Sequence, residues 1–145
     1  MRGRHRSEDG AVAVEMAILT PLLLLLLFGI IQYGMLFHAL QGASATARDA
    51  ARWAATGVSD CTDYQSAVRD HAQGNGVPVA PDPWQVTLTY QGSPTPDTAL
   101  VELSFTPQSL VPMIPMPGRL TERALARVED AGAVRVSGCT VQPGP

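Results

Sequence analysis

The sequence predicts an α+β protein: a long N-terminal transmembrane-to-extracytoplasmic helix, then a small domain with a short helix and an antiparallel sheet. Three observations lead there. Ala11–Ile31 is an unbroken stretch of apolar character, interrupted by one carboxylate. Ala39, Ala43, Ala47, Ala50, Ala51 and Ala54 then recur at three- and four-residue steps as far as Gly57, which is helical periodicity with a glycine stop. Beyond Gly57 the apolar residues alternate in short runs between glycines and prolines, as strands do.

The first element spans 11–57, with a membrane span over about 11–37. At about 1.5 Å per residue, Ala11–Ile31 covers roughly 30 Å, the thickness of a bilayer's hydrocarbon core. Leu22–Ile31 is apolar all round rather than on one stripe, which a small soluble domain cannot bury on every side. Residues 1–10 form a basic leader carrying Arg2, Arg4 and Arg6, while Arg48 and Arg52 lie further from the other end. The positive-inside rule then places the N-terminus in the cytoplasm and the C-terminal bulk outside, as a single-pass protein of the cell membrane. A cleaved secretory leader ending near Ala43-Ser44-Ala45 is the alternative. Its usual apolar core of about 7–15 residues is shorter than this run, and the helical periodicity continues past the cut. The alanine stripe fits two uses: a seam for another helix, as small residues provide in membranes, or the face that packs on the chain's own domain.

Residues 58–145 make the extracytoplasmic α+β domain. Thr62-Asp63-Tyr64-Gln65 reads as a capping box, with Tyr64, Ala67, Val68, His71 and Ala72 on one face of the helix that follows. Gly74-Asn75-Gly76 ends it, and Pro78–Pro83 links onward. Val86, Leu88 and Tyr90 alternate, Gly92–Asp97 forms a loop, and Val101, Leu103 and Phe105 alternate again: an antiparallel pair. Val111–Gly118 is an apolar proline loop suited to covering the sheet or touching a partner. Leu120–Glu129 favours helix by residue propensity. Val134–Val136 is expected as a short last strand after an Asp130–Gly132 turn.

So small a domain has a marginal core. The chain's two cysteines, Cys61 and Cys139, would close a loop whose cross-link is worth about 4 kcal/mol in the chain-entropy model. The outward orientation would put them in an oxidising space, and a Cys61–Cys139 disulfide is expected; two unpaired thiols are the alternative.

Thirteen acids against ten basic residues, all arginine, give a net charge of −3. Without a basic stripe, nucleic-acid binding is not expected. His5, His38 and His71 are scattered, and no histidine stands at ligand spacing from a cysteine, so no metal site is expected. Asp60, Asp63 and Asp70 read as a solvated helix start and face. There is no glycine-rich phosphate loop and no nucleophile elbow. No cofactor and no catalytic residue are expected, and the protein reads as a non-enzyme.

The one chemically odd residue is Glu15, inside the apolar run. A carboxylate costs about 2.5–3.5 kcal/mol at the centre of a span and less near its end. Gly10 stands just before the run, and Glu15 is the fifth residue after it. Basic residues, a glycine, four apolar residues and a glutamate opening an apolar helix resemble the class III signal of type IV pilins and pseudopilins. That resemblance implies a cut by a prepilin peptidase between Gly10 and Ala11. It also implies pairing of Glu15 with a new N-terminal amine during assembly, since two such charges are tolerable in apolar surroundings only as a pair. The alternative is a Glu15 that snorkels to the interface. Pro21, inside the span, removes one helical hydrogen bond and can kink the helix; a harmless membrane-helix proline is the other reading.

"GAVAVEMAILTPLLLLLLFGIIQYG" followed by "ATARDAARWAA" resembles the TadE-like family of the tight-adherence (Flp) pilus system, most densely over residues 9–57. "LTERALARVE" resembles the family's closing segment less specifically, and the resemblance favours strand there. The family's processed members usually carry an aromatic after the glutamate, where this chain has Met16. The resemblance implies a membrane-anchored pseudopilin-like component of the pilus or its assembly machinery. Its partners would be the lipid bilayer, other pilus subunits and assembly proteins. An uncleaved anchored binding domain without a filament role is the competing function; an enzyme released by signal peptidase is a third.

Overall fold

A computed structural model describes residues 5–78, 84–92, 97–129, 136 and 138–141, with side chains from Gly10 onward. Helix α1 runs from His5 to Ala55, 51 residues without a break. It stops where the sequence places a stop. Thr56 and Gly57 donate their N–H groups to the carbonyls of Trp53 and Ala54, and Gly57 adopts a φ of 94°. Such left-handed backbone favours glycine and closes helix ends.

Helix α2 spans Cys61–Gly74, and strands β1 (Gln85–Gln91), β2 (Thr98–Phe105), β3 (Leu120–Arg127) and β4 (Thr140–Val141) form one sheet in the order β3-β2-β1-β4. All three pairings are antiparallel. The domain therefore has two layers, with α1 and α2 laid on one face of a sheet. Val86, Leu88, Tyr90, Ala99, Val101, Leu103 and Phe105 point inward and are buried. Across β2 and β3 the outward residues Glu102 and Arg123 are opposite one another and form an ion pair at 2.6 Å.

The alanine stripe is the face of α1 that packs on its own domain: Ala39, Ala43, Ala47, Ala50, Ala51 and Ala54 are all buried in one core with Tyr64, Val68, Leu88 and Leu103. Two tyrosines reach from α2 and β1 to its backbone. Tyr64 donates to the Ala50 carbonyl at 3.3 Å and Tyr90 to the Ala54 carbonyl at 2.8 Å. Burial, with the neighbouring Tyr90, pushes the Tyr64 phenol well above its ordinary pKa. The Trp84 indole N–H is buried with no partner among the described residues.

Three expectations change, and one open alternative closes. The cap of α2 is Asp60, whose carboxylate accepts the Thr62 N–H at 2.9 Å, so Thr62 does not open a capping box. An acceptor just before the helix does the work expected of Thr62. On α2, Tyr64, Val68 and Ala72 are buried, whereas His71 is exposed and sets its ring edge-on against Trp53 at 4.4 Å. Leu120–Arg127 is strand despite its helix-forming residues, because full-length pairing with β2 overrides propensity. The last strand among the described residues is Thr140–Val141, where a strand over Val134–Val136 was expected. Val136 instead gives its N–H to the Val58 carbonyl at 3.0 Å. Val134, the Asp130–Gly132 turn and most of the Pro78–Pro83 linker lie outside the described residues.

Candidate functional site

The sequence-predicted residues do not converge on a cleft; they are strung along α1. Gly10, Ala11 and Glu15 sit exposed near the start of the helix, about 7.5 Å of rise from first to last. Around Glu15 the surface is apolar, with Val12, Val14, Met16, Ile18 and Leu19 all exposed. The helix continues through Pro21, and beside it the Thr20 hydroxyl donates to the Met16 carbonyl at 2.6 Å. Among the described residues one helix, near the N-terminus, is long and apolar enough to cross a membrane. Its large apolar residues stay exposed from Val12 to Phe37, apart from Leu36.

Farther along, the domain grips the helix at two levels. At the upper one, the turn that ends α2 presses on α1. The Asn75 amide donates to the buried Thr46 hydroxyl at 3.0 Å, and a side chain at Gly42 would overlap the Asn75 carbonyl. Glycine is there because two backbones meet.

At the lower level, the loop Pro107–Gly118 reaches down to Gln32. This glutamine is fully buried, and the loop satisfies it from several sides. The Val111 N–H donates to its Oε1 at 3.0 Å, while its Nε2 faces the Ser109 hydroxyl and the Ile114 carbonyl, each at 3.4 Å. The Ile114 side chain lies against Gly29. Between the two levels lies an apolar groove of about 510 Å³, lined by Ile31, Met35, His38, Gly76 and Pro107 among others. Sequence reasoning missed Gln32, although a polar residue in an apolar helix carries the same signal that drew notice to Glu15.

Cys61 and Cys139 come together at a disulfide's separation, with Cα atoms 5.5 Å apart and a sequence separation of 78. They tie the start of α2 to the segment entering β4, which also exchanges hydrogen bonds with Leu88: the Leu88 N–H donates to the Cys139 carbonyl and the Gly138 N–H to the Leu88 carbonyl. Along the seam between α1 and β3, Arg48, Arg52, Arg123 and Arg127 stand exposed. Among the described residues, no group of three or more histidines, cysteines or carboxylates is placed to hold a metal.

Residues 10–52 match the family model described as TadE-like protein. The match covers the exposed apolar segment, both buried grips at Gln32 and Gly42, and most of the alanine face. It bears out the resemblance read from the sequence and connects this helix with Tad/Flp pilus assembly. No curated protein and no solved structure matches the chain.

Proposed function

We propose that the protein is a membrane-anchored, pseudopilin-like component of a tight-adherence pilus or of its assembly machinery, acting through helix packing and not through catalysis. One observation carries this reading: α1 is divided between two tasks. Its second half is spent on its own domain, and its first half, Gly10–Ile31, presents a continuous apolar surface with Glu15 in it. A helix so divided has a fixed end and a free end. The free end is suited to lipid before assembly and to other helices after it.

In this reading a prepilin peptidase cuts after Gly10 and the new Ala11 amine pairs with Glu15 of a neighbouring subunit. The cut removes Arg2, Arg4, Arg6, Glu8 and Asp9, so seven arginines and eleven acids remain and the side-chain charge moves from −3 to −4. The N-terminus faces the cytoplasm and the disulfide-bearing domain lies outside. The competing reading keeps the leader, and Met16 in place of an aromatic favours it. Mass spectrometry of the N-terminal peptide from the native host separates them. A mature chain starting at Ala11 supports processing, and one starting at Met1 leaves an uncleaved anchor. Substituting Gly10 with a bulky residue should abolish any cut.

A further inference from the structure

We infer that the loop Pro107–Gly118 is a second membrane element, set among the lipid chains beside α1 on the domain's side of the bilayer. The inference rests on α1 being a membrane span. Given that, position along the helix fixes depth. If hydrocarbon begins just after Glu15, about 20 residues of helix carry it to Met35 or Leu36; if it begins at Ala11, it ends near Ile31. The loop meets α1 at Gly29 and Gln32, inside the first boundary and level with the second. Neither placement leaves the loop wholly in water.

The loop's composition suits that depth. From Thr106 to Gly118 it has no charged residue and four prolines, Pro107, Pro112, Pro115 and Pro117. Each proline lacks the N–H donor that lipid could not satisfy. Leu110 is 54% exposed and Met113 is 83% exposed, so these apolar side chains of the loop point away from the protein. The next residue, Arg119, is exposed at the loop's base and bonds the Ser104 hydroxyl, where a guanidinium can reach headgroups.

Non-helical backbone is tolerated at membrane depth only where its polar groups are buried against protein. At Val111 and Ile114 that condition is supplied by Gln32. Its amide takes up the Val111 N–H and faces the Ser109 hydroxyl and the Ile114 carbonyl, and the loop in turn hides the glutamine. Each would be costly in lipid alone. Exposed apolar residues run along the helix as far as Phe37, past the level at which the loop meets it. Lipid is the occupant that contacts both.

The test uses the full chain in phosphatidylcholine nanodiscs with brominated acyl chains. An environment-sensitive fluorophore is attached through Met113→Cys or Leu110→Cys, with Leu24→Cys and Ser66→Cys as references in span and domain. The labels at 110 and 113 should lose at least half as much fluorescence to the bromines as the label at 24, with the label at 66 unaffected. Labels at 110 and 113 that behave like 66, while 24 is quenched, overturn the inference and leave the span intact. So does shielding of both from bromine and from aqueous iodide, which would place a second protein over the loop. An unquenched label at 24 would remove the span, and this inference with it.

Discussion

Three residues carry separable consequences. Gly42 faces the Asn75 carbonyl, so Gly42→Ala should lower stability by about 1–3 kcal/mol through overpacking. An exposed helical glycine would gain about 1 kcal/mol from the same change, so thermal unfolding of the detergent-solubilised chain gives the sign. Gln32→Leu should cost about 1–3 kcal/mol, because the Val111 N–H loses its acceptor in a buried place. Tyr64 binds its proton more tightly folded than unfolded. Its contribution is therefore complete below the unfolded pKa of about 10 and is lost as pH rises above it. Tyr64→Phe should flatten the decline in melting temperature above pH 10, at the cost of about 1 kcal/mol at neutral pH for the lost hydrogen bond. At this scale Gln32 was marked in the sequence, as a polar residue within an apolar helix, yet was passed over. Asp60 was legible as part of a helix start though not as its cap, whereas Gly42 matters only through what the fold brings to it, and nothing local marks it.

Among the elements, α1, α2 and the β1–β2 pair were legible because their apolar periods are strong and their ends carry glycine or proline. Strand β3 was not, since Thr121, Glu122, Arg123 and Leu125 have no pattern that separates an edge strand from an exposed helix; its pairing with β2 decides it. Strand β4, only Thr140–Val141, is too short to carry a pattern; the tether at Cys139 and the hydrogen bonds to Leu88 set its pairing. That tether closes a long loop around a small core. Reduction should lower stability by about 4 kcal/mol in the chain-entropy model, seen as a fall in melting temperature with the appearance of two titratable thiols. Unchanged melting on reduction would take the cross-link out of the account.

At the scale of the whole molecule α1 has two surroundings: its own domain along one half, and along the other an exposed apolar surface that the proposed function gives to lipid or other helices. That division was only partly readable beforehand, because the alanine stripe suits a membrane seam and a domain face equally well. It is the sheet lying on Ala39–Ala54 that assigns it, and under the proposed function contacts to other subunits then fall to the free half and to Glu15. A C-terminal alkaline phosphatase fusion should be active and one at Arg6 inactive if the domain is outside. The central claim, that Glu15 serves assembly, is tested most directly by counting surface pili in the native host carrying Glu15→Gln or Glu15→Leu. Both variants should insert and accumulate like the parent, Leu at least as well as Gln, and both should lose most piliation because neither can pair with an amine. Normal piliation with Glu15→Leu would contradict the claim and leave the carboxylate as a residue that merely reaches the membrane surface.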